Sequence, residues 1–232
     1  AAFTDVNAAW EQKDDKNGLA YRFNVLGTEN IAKAAKATGK HLVHISTAFV
    51  FDGTKEGLYT EEDPTNPIEW YGYTKAKAEE VVAQICDSNA WTILRIDFPF
   101  RNAPSPRPDI VRKNIQSLEK GYPLFEDHFF GPTYLDDFVQ VLDWAITDTT
   151  AKPVGIFNAS SGEKWSDFEL AQTLIRIHNL PLIAKKGLLA DYLKTVQRPY
   201  QKNTAMSTQK LKNVLPFTQQ SIENALFNVV LD

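Results

Sequence analysis

Short apolar runs rich in β-branched residues alternate with helical stretches along this chain, and this alternation limits the folds that it can adopt. Residues 41–45 (HLVHI), 91–96 (WTILRI) and 155–160 (GIFNAS) have the length and composition of buried strands. Apolar residues recur at helical spacing in 18–38, 73–86, 110–120, 134–147, 167–178, 207–215 and 218–231. Strands that alternate with helices predict an α/β fold, with a doubly wound parallel sheet covered on both faces.

The chain contains no clean linker, so its organisation must be inferred from a local irregularity. The stretch 101–109 has three prolines and cannot form a regular element. We expect the chain to leave the sheet there. The predicted organisation is a nucleotide-binding domain over 1–100, to which 135–158 returns, and a smaller substrate lobe made of 101–134 and 159–232.

Charge and composition argue against several classes of partner. The chain has 232 residues, with 25 Lys and Arg, 29 Asp and Glu and a net charge of −4, so nucleic acid and anionic membranes are not indicated. No apolar run approaches the ~18–20 residues of a membrane span, and no signal peptide is visible. The single cysteine, Cys86, fits a reducing compartment. We therefore expect a cytoplasmic protein.

The histidines and the cysteine do not form a metal-binding pattern. The four histidines lie far apart in the sequence, and no cysteine cluster accompanies them. His44 falls inside a predicted strand, where a hydrogen-bonded core histidine is the simpler interpretation. We expect no metal site.

Two hydroxyl residues, Ser46 and Thr47, directly follow the first predicted strand. The carboxyl ends of the strands in a parallel α/β sheet face the ligand crevice, so hydroxyls at this point can reach a substrate. A polar loop pair or a helix cap is the structural alternative.

Two Tyr/Lys pairs share a helix face in YGYTK and the residues that follow, namely Tyr71 with Lys75 and Tyr73 with Lys77. A Lys ammonium one turn from a Tyr hydroxyl favours the phenolate and lowers the Tyr pKa. Such a Tyr can exchange a proton with an alcohol or a carbonyl. The spacing alone does not choose between the pairs, and one of them is expected to be a solvated surface pair.

Asn24 interrupts the first predicted helix, although Asn is a poor residue for a helix interior. It could hold a water molecule or bond to backbone. An exposed polar side chain is the alternative.

In this order and context, these patterns resemble the extended short-chain dehydrogenase/reductase family. The similarity is to the branch that contains dTDP-4-dehydrorhamnose reductase and its sugar-nucleotide-binding relatives. It is carried by AAFTDV (1–6), NVLGTENIAKAA (24–35), LVHISTAFVFDG (42–53), YTEEDPTNPIEWYGYTKAKAE (59–79), FGPTYLDDF (130–138) and QRPYQKNTAMSTQKL (197–211). In the family a Pro lies four residues before the catalytic Tyr and a Gly follows it, and Pro67 and Gly72 thereby select Tyr71 with Lys75.

The resemblance implies a partial Rossmann-type sheet and hydride transfer between NAD(P)H and a nucleotide-linked 4-keto sugar. Tyr71 would be the general acid, and Lys75 would lower its pKa and hold the nicotinamide ribose. Thr47 would hydrogen-bond the substrate carbonyl, with Ser46 as a substitute. Asn24 matches the family position that orders a helix and a water of the proton relay.

The resemblance also implies binding residues. Ala1, Ala2 and Thr4 would lie beside the nicotinamide half of the cofactor, whereas Val6, Thr47, Phe98 and Arg198 would contact the substrate. The candidates for the substrate diphosphate are Arg95, Arg101, Arg107, Arg198 and Lys202. Arg198 is favoured, because it falls in the family-like phrase 197–211.

The largest departure from the family is the missing glycine-rich turn. None of the eleven glycines forms a GxGxxG or GxxGxxG spacing, and Ala1-Ala2 matches the end of the family's fourth strand. We therefore expect a fragment of a longer protein, in which 41–45 forms an exposed sheet edge. On their own, the 232 residues should bind NAD(P)H weakly or not at all, since the pyrophosphate has no donors here.

Two further departures affect the pocket. Ala48-Phe49 stands where the branch commonly has Asp-Tyr, and 97–101 (DFPFR) stands where it commonly has a Ser-Trp-Val-Tyr-Gly type of sequence. Both leave the particular sugar open.

These departures leave alternatives to a reductase that binds a nucleotide sugar. One is a non-catalytic regulatory subunit on the same fold, similar to the regulatory subunit of methionine adenosyltransferase. Another is a sugar-nucleotide epimerase or dehydratase. A homodimer is the assembly that we consider.

Overall fold

A three-stranded parallel sheet forms the centre of the protein. The computed structural model describes residues 2–104, 106–147 and 152–231. The strands are β1 (Leu42–Thr47), β2 (Trp91–Ile96) and β7 (Gly155–Asn158), in the spatial order β1-β2-β7. Leu42 pairs with Trp91 at one end of the sheet and Thr47 pairs with Ile96 at the other. The three strands predicted from the sequence are confirmed, and all run in parallel.

Helices cover both faces of this sheet, as the alternation predicted. Successive side chains of a strand point to opposite faces. On β2, Ile93 packs with Ala32 and Val82 on one face, and Leu94 packs with Phe138 and other apolar residues on the opposite face. Ile93 and Leu94 are both fully buried. The apolar run of β2 is therefore explained by burial on both sides.

The helices and the shorter strands are distributed around the sheet as follows. The helices are α1 (Val6–Trp10), α2 (Leu19–Tyr21, Arg22–Leu26 and Gly27–Ala37), α3 (Trp70–Ile85), α4 (Ile110–Glu119), α5 (Leu135–Thr147), α6 (Asp167–His178), α7 (Leu189–Leu193), α8 (Gln209–Lys212) and α9 (Ile222–Phe227). The short strands are β3 (Pro99–Phe100), β4 (Pro123–Phe125), β5 (Phe129–Phe130), β6 (Thr133–Tyr134), β8 (Trp165–Ser166) and β9 (Lys185–Gly187).

Three helices have ends that differ from those predicted by periodicity. Helix α3 begins at Trp70 rather than at residue 73, because the Glu69 carboxylate caps its first turn. Helices α8 and α9 are shorter than the predicted stretches 207–215 and 218–231, and α9 begins only after Ser221, whose side chain accepts from the Asn224 amide. In contrast, Ser166 caps α6 as expected and forms a capping box with Glu169.

A second core lies between α4, α6 and α9, away from the central sheet. Its buried members include Phe100, Val111, Phe130, Leu174 and Leu226. Short strand pairs, β3 with β6 and β5 with β8, connect this core to the carboxyl end of the sheet. The Thr133 amide bonds the Phe98 carbonyl, and Gly131 and Thr204 bond the Asp97 side chain, so these residues lie beside the end of β2.

Strand β1 forms an edge of the sheet, since in the part of the chain described it pairs only with β2. Ile45 on this strand is 40% exposed. This edge was expected from the sequence. Of the helices within the described ranges, none combines the length and the apolar character that crossing a bilayer requires.

Candidate active site

The Tyr71 hydroxyl and the Thr47 hydroxyl meet at the carboxyl end of β1. Thr47 is the last residue of β1, and Tyr71 is the second residue of α3. The Thr47 hydroxyl lies close enough to the Tyr71 hydroxyl to lower the pKa of Tyr71. Thr47 is 6% exposed and also accepts from the Phe49 amide at 3.3 Å. The strand end thus brings the buried Thr47 hydroxyl and the half-buried Tyr71 side chain together.

The first turn of α3 packs so closely against the loop after β1 that position 72 has no room for a side chain. Glu69 accepts hydrogen bonds from the Tyr71 amide at 2.8 Å and from the Gly72 amide at 2.6 Å. A Cβ atom on Gly72 would lie 2.1 Å from the Phe49 carbonyl oxygen. The glycine therefore permits the close approach that brings Tyr71 to Thr47.

Replacing Gly72 with Ala should separate the two segments. We expect Gly72→Ala to lower the free energy of unfolding by about 1–3 kcal/mol, because backbone must move to accept the methyl group. Urea denaturation measures this loss. Gly57→Ala is the matched control, since a Cβ there would meet nothing within 4 Å. Equal stability of the two variants would contradict the close packing.

Lys75 lies one helical turn beyond Tyr71 and points at β1. Its ammonium donates to the Ile45 carbonyl oxygen at 2.7 Å and lies 3.3 Å from Nε2 of His44. Burial lowers the pKa of Lys75 to about 8, against the raising effect of Glu79. Burial, followed by the charge of Lys75, lowers the pKa of His44 to about 3, so His44 is a neutral partner. Lys75 is thus ordered beside the strand end.

The predicted effect of Lys75 on Tyr71 is not found. Burial raises the pKa of Tyr71 to about 12, and the hydrogen bond from Thr47 and the charge of Arg107 lower it only in part. Glu69 and Asp97 raise it further. Lys75 points to the strand backbone, so the prediction of a lowered Tyr71 pKa is wrong for this structure, and desolvation is the physical reason.

Asn24 connects the amino-terminal segment to α3. It is 1% exposed, and its carboxamide exchanges two hydrogen bonds with the backbone of Phe3 and donates to Thr74 Oγ1 at 2.9 Å. Asn24 lies in the π-helical turn Arg22–Leu26, which fits an Asn that bonds away from its own helix. The backbone-bonding interpretation of Asn24 therefore holds, and the exposed one does not.

The second Tyr/Lys pair lies on the protein surface. The Tyr73 ring stacks on Trp70 with ring centroids 4.8 Å apart. Lys77 lies over the Tyr73 ring and bonds to Glu80 at 2.8 Å. This is the arrangement of a solvated helix pair, and it leaves Tyr71 with Lys75 as the pair beside the strand end.

Aromatic rings form a wall beside Tyr71. The Phe49 ring meets the Tyr71 ring edge-on, with the ring centroids 5.8 Å apart. Phe49 also packs on Phe98, whose ring centroid lies 5.8 Å away, and Phe98 packs on Phe130 at 4.8 Å. Phe98 has a backbone φ of 35°, which L residues rarely adopt. The chain is thus constrained where it turns Phe98 toward the site.

Asp97, at the end of β2, is a buried carboxyl group near the two hydroxyls. Its Oδ2 accepts from the Gly131 amide at 3.0 Å and the Thr204 hydroxyl at 2.7 Å, while its Oδ1 is buried without a hydrogen-bond partner. Burial raises the pKa of Asp97 to about 8. Asp97 therefore carries a proton at neutral pH and joins three segments around the site.

Asp97 should make the stability depend on pH. The folded protein holds the proton that the unfolded chain loses near pH 4, so stability falls as the pH rises from about 4 to 8, by up to ~1.4 kcal/mol per unit. Asp97→Asn keeps the acceptor and removes the titration. We expect the stability of Asp97→Asn relative to wild type to increase between pH 5 and 8 in chemical denaturation. Parallel pH curves would contradict this.

The phosphate candidates occupy different environments. Arg95 is 2% exposed and pairs with Glu79 through two hydrogen bonds of 2.9 and 2.6 Å, so it is not available to a ligand. Arg198 donates to Asn7 Oδ1 at 3.0 Å and stacks on the Tyr200 ring at 3.8 Å. Arg107 donates to Thr4 Oγ1 at 3.0 Å. Arg198 and Arg107 therefore face the amino-terminal segment, whereas Arg101 and Lys202 are exposed.

The amino-terminal candidates are only partly accounted for. Ala1 lies outside the described residues. Ala2 is exposed, and Thr4 bonds Arg107. Val6 begins α1 and is half-buried. Arg107 links this segment to the site, because its charge also acts on Tyr71.

The residues at the end of β1 fit the reactive end of a nicotinamide cofactor. A buried ammonium, two hydroxyls and the unpartnered buried Ser46 Oγ lie together there, which is a set of donors and acceptors suited to a ribose and a carbonyl. The pyrophosphate of the cofactor has no comparable set of residues, since the 232 residues contain no glycine-rich turn that could bind it. In the described ranges, no cluster of three or more His, Cys, Asp or Glu could hold a metal ion.

Sequence reasoning missed two acidic residues at this site. Glu69 is not a preferred capping residue, so propensity does not reveal it. Asp97 was noted only as a departure from the family, although its place at the carboxyl end of a strand was a usable signal.

Fold and site together define the class, and the family follows from comparison with known proteins. The parallel sheet, with Thr47 at the end of β1 and Tyr71 and Lys75 on α3, is the arrangement expected for the extended short-chain dehydrogenase/reductases. The family described as RmlD substrate binding domain matches residues 1–232, and the chain belongs to that family.

Three similar proteins extend this comparison. The dTDP-4-dehydrorhamnose reductase of Aggregatibacter actinomycetemcomitans is 29% identical over 99% of this chain and 78% of its own length. Methionine adenosyltransferase 2 subunit beta of Xenopus laevis is 27% identical over 90% of this chain and 64% of its own length. The crystal structure of dTDP-4-dehydrorhamnose reductase from Bacillus anthracis in complex with NADP shares the fold, with a TM-score of 0.82, 24% identity and coverage of 98% of this chain and 75% of that chain.

Proposed function

We propose that this chain acts in the NAD(P)H-dependent reduction of a nucleotide-linked 4-keto sugar, as its relative dTDP-4-dehydrorhamnose reductase does by name. The observation that carries the proposal is the position of the Thr47 hydroxyl beside the Tyr71 hydroxyl at the end of β1, with Lys75 one turn away. A proton donor and a second hydroxyl at one strand end are what the reduction of a carbonyl requires.

The proposed roles follow from this geometry. When bound, the nicotinamide supplies a hydride to the carbonyl carbon. Tyr71 gives its hydroxyl proton to the carbonyl oxygen, so the ketone becomes an alcohol and Tyr71 regains a proton from water. The raised pKa of Tyr71, about 12, keeps this proton in place until an alkoxide develops. Thr47 orients the carbonyl oxygen by a hydrogen bond.

Lys75 and Asn24 support the donor rather than give protons themselves. Lys75 has three N–H donors, and its bond to Ile45 leaves donors for the ribose hydroxyls. Asn24 holds the Phe3 backbone against α3 through Thr74. In this proposal, the amino-terminal segment with Ala2, Thr4 and Val6 lies beside the reacting groups.

The substrate side is proposed to lie between the sheet end and the lobe formed by 101–134 and 159–232. Phe98 would stack on a ring of the substrate, and Arg198 would face its diphosphate, since an Arg guanidinium matches phosphate geometry. Arg107, which already reaches Thr4, is a second cation on this side. The partner is therefore a nucleotide sugar, and we place the reaction in the cytoplasm, where Cys86 stays a buried free thiol.

A second candidate function is a non-catalytic regulatory subunit, as in methionine adenosyltransferase. The observation that favours it is Ala48, because this fully buried residue stands where the branch commonly has an Asp and leaves no carboxylate beside Thr47. A homodimer through the exposed stripe of Leu19, Phe23 and Leu26 is a further proposal.

An assay of the full reading frame distinguishes these functions. The protein is incubated with NADPH and 4-keto sugars linked to dTDP, UDP or GDP, and NADPH consumption is followed by absorbance. We expect consumption with one of these sugars. Conversion of the sugar without net NADPH consumption would indicate an epimerase or a dehydratase. No conversion, with binding to a second enzyme, would indicate the regulatory subunit.

A further inference from the structure

A single carboxyl group, that of Glu69, caps the first turn of α3. The side chain is 2% exposed. Both of its oxygens are used, one by the Tyr71 amide at 2.8 Å and one by the Gly72 amide at 2.6 Å. Since Gly72 also abuts the Phe49 carbonyl, the Tyr71 backbone is fixed from two sides. Moving this carboxyl group would move the residue that we assign as proton donor.

Several charges surround this carboxyl group and Tyr71. Burial raises the pKa of Glu69 to about 7, against the lowering effects of the Gly72 and Tyr71 amides and, after them, of the charge of Arg198. Lys13, Asp14 and Lys16 line a surface depression that reaches Glu69 from the α1 side. On the other side, Asp97 and Arg107 act on the same Tyr71. Glu69 is thus the titratable group in direct contact with the Tyr71 backbone.

We propose that Glu69 is a positioning residue for the proposed reaction: its buried carboxyl group caps the first turn of α3 and holds the Tyr71 backbone, and with it the hydroxyl that donates the proton. This inference rests on the proposed function. Below neutral pH, Glu69 is neutral and Tyr71 is the stronger acid. As the pH rises, ionised Glu69 raises the pKa of Tyr71, and proton donation becomes slower.

The contact is tested directly by NMR of protein labelled with ¹³C at the tyrosine Cζ. The signal of Tyr71 is assigned by its loss in Tyr71→Phe. Because Asp97 also acts on Tyr71, the titration is carried out on Asp97→Asn, where we expect one step near pH 7. Adding Glu69→Gln, which keeps one of the two acceptors of the cap and removes the charge, should abolish this step. Arg198→Gln should move it to higher pH.

Activity of the full reading frame gives the second readout. We expect the reductive rate of wild type to fall roughly threefold between pH 6 and 8, and this fall to disappear in Glu69→Gln. Ser221→Ala, which removes the cap of α9, is the control for a merely structural effect and should keep the wild-type pH profile.

The outcomes separate this inference from the proposed function. If the pH titration of the Tyr71 signal is unchanged in both Glu69→Gln and Arg198→Gln, the inference is overturned, whatever the activity. If wild type shows no reductase activity but the Tyr71 step near pH 7 depends on Glu69, the proposed function fails and the positioning contact stands. If Glu69→Gln loses both the step in the Tyr71 signal and the pH dependence of the rate, the inference and the proposed function are both supported.

Discussion

Replacing Tyr71 with Phe should lower the rate of ketone reduction by roughly 10²–10⁴ while leaving the affinity for NADPH nearly unchanged. The ring still packs against Phe49, and only the hydroxyl that donates the proton is lost. A loss of this size appears in single-turnover measurements of NADPH oxidation, which separate the chemical step from product release.

The neighbouring pair supplies the control for this prediction. Tyr73→Phe changes the surface pair with Lys77 and should leave the rate within about twofold of wild type, as expected for a group that takes no part in proton transfer. A single-turnover rate of Tyr71→Phe equal to that of Tyr73→Phe would remove Tyr71 from the role of proton donor.

The largest effect on stability should come from the buried ion pair beneath the site. Arg95 and Glu79 are 2% and 5% exposed, and Arg95 also lies over the Phe51 ring at 5.0 Å. Removing one partner leaves the other charge buried and unpaired, so Glu79→Gln or Arg95→Met should lower the free energy of unfolding by about 3–5 kcal/mol. Urea denaturation at neutral pH measures this loss.

Two comparisons sharpen this experiment. Glu80→Gln breaks the exposed pair with Lys77 and should cost less than about 1 kcal/mol. Removing both buried charges, as in Glu79→Leu combined with Arg95→Met, should recover much of the stability, because no unpaired charge remains. Single variants within 1 kcal/mol of wild type would show that the site tolerates an uncompensated charge.

The periodicity of apolar residues predicted those helices and strands that are buried on one face or on both faces. The apolar run of β2 is short and buried on both faces, and α5 and α6 were found close to their predicted ends. Helices α8 and α9 were overextended, because apolar residues such as Val214 and Val230, both more than 45% exposed, continue the pattern beyond the last helical turn. Pattern alone does not show where a helix loses its tertiary support.

For the site, the sequence predicted which residues meet but not how charge is distributed among them. Thr47, Tyr71 and Lys75 gather at the end of β1 because strand ends and helix faces are fixed by the topology. The pKa of Tyr71 depends instead on desolvation and on Glu69 and Asp97, which come from separate segments. Desolvation is a property of the packed structure, so the Lys75 spacing suggested the wrong direction.

The central claim is tested most directly by following a labelled hydride. The full reading frame is incubated with NADPH carrying deuterium at the transferable position of the nicotinamide, together with a dTDP-linked 4-keto sugar, and the product is examined by NMR and mass spectrometry. A reductase that uses the Tyr71 and Thr47 hydroxyls should place the deuterium on C4 of the sugar, and Tyr71→Phe should form this labelled product roughly 10²–10⁴ times more slowly. An unlabelled C4, or 4-keto sugars linked to dTDP, UDP and GDP that all stay unchanged with wild-type protein, would contradict the reductase function.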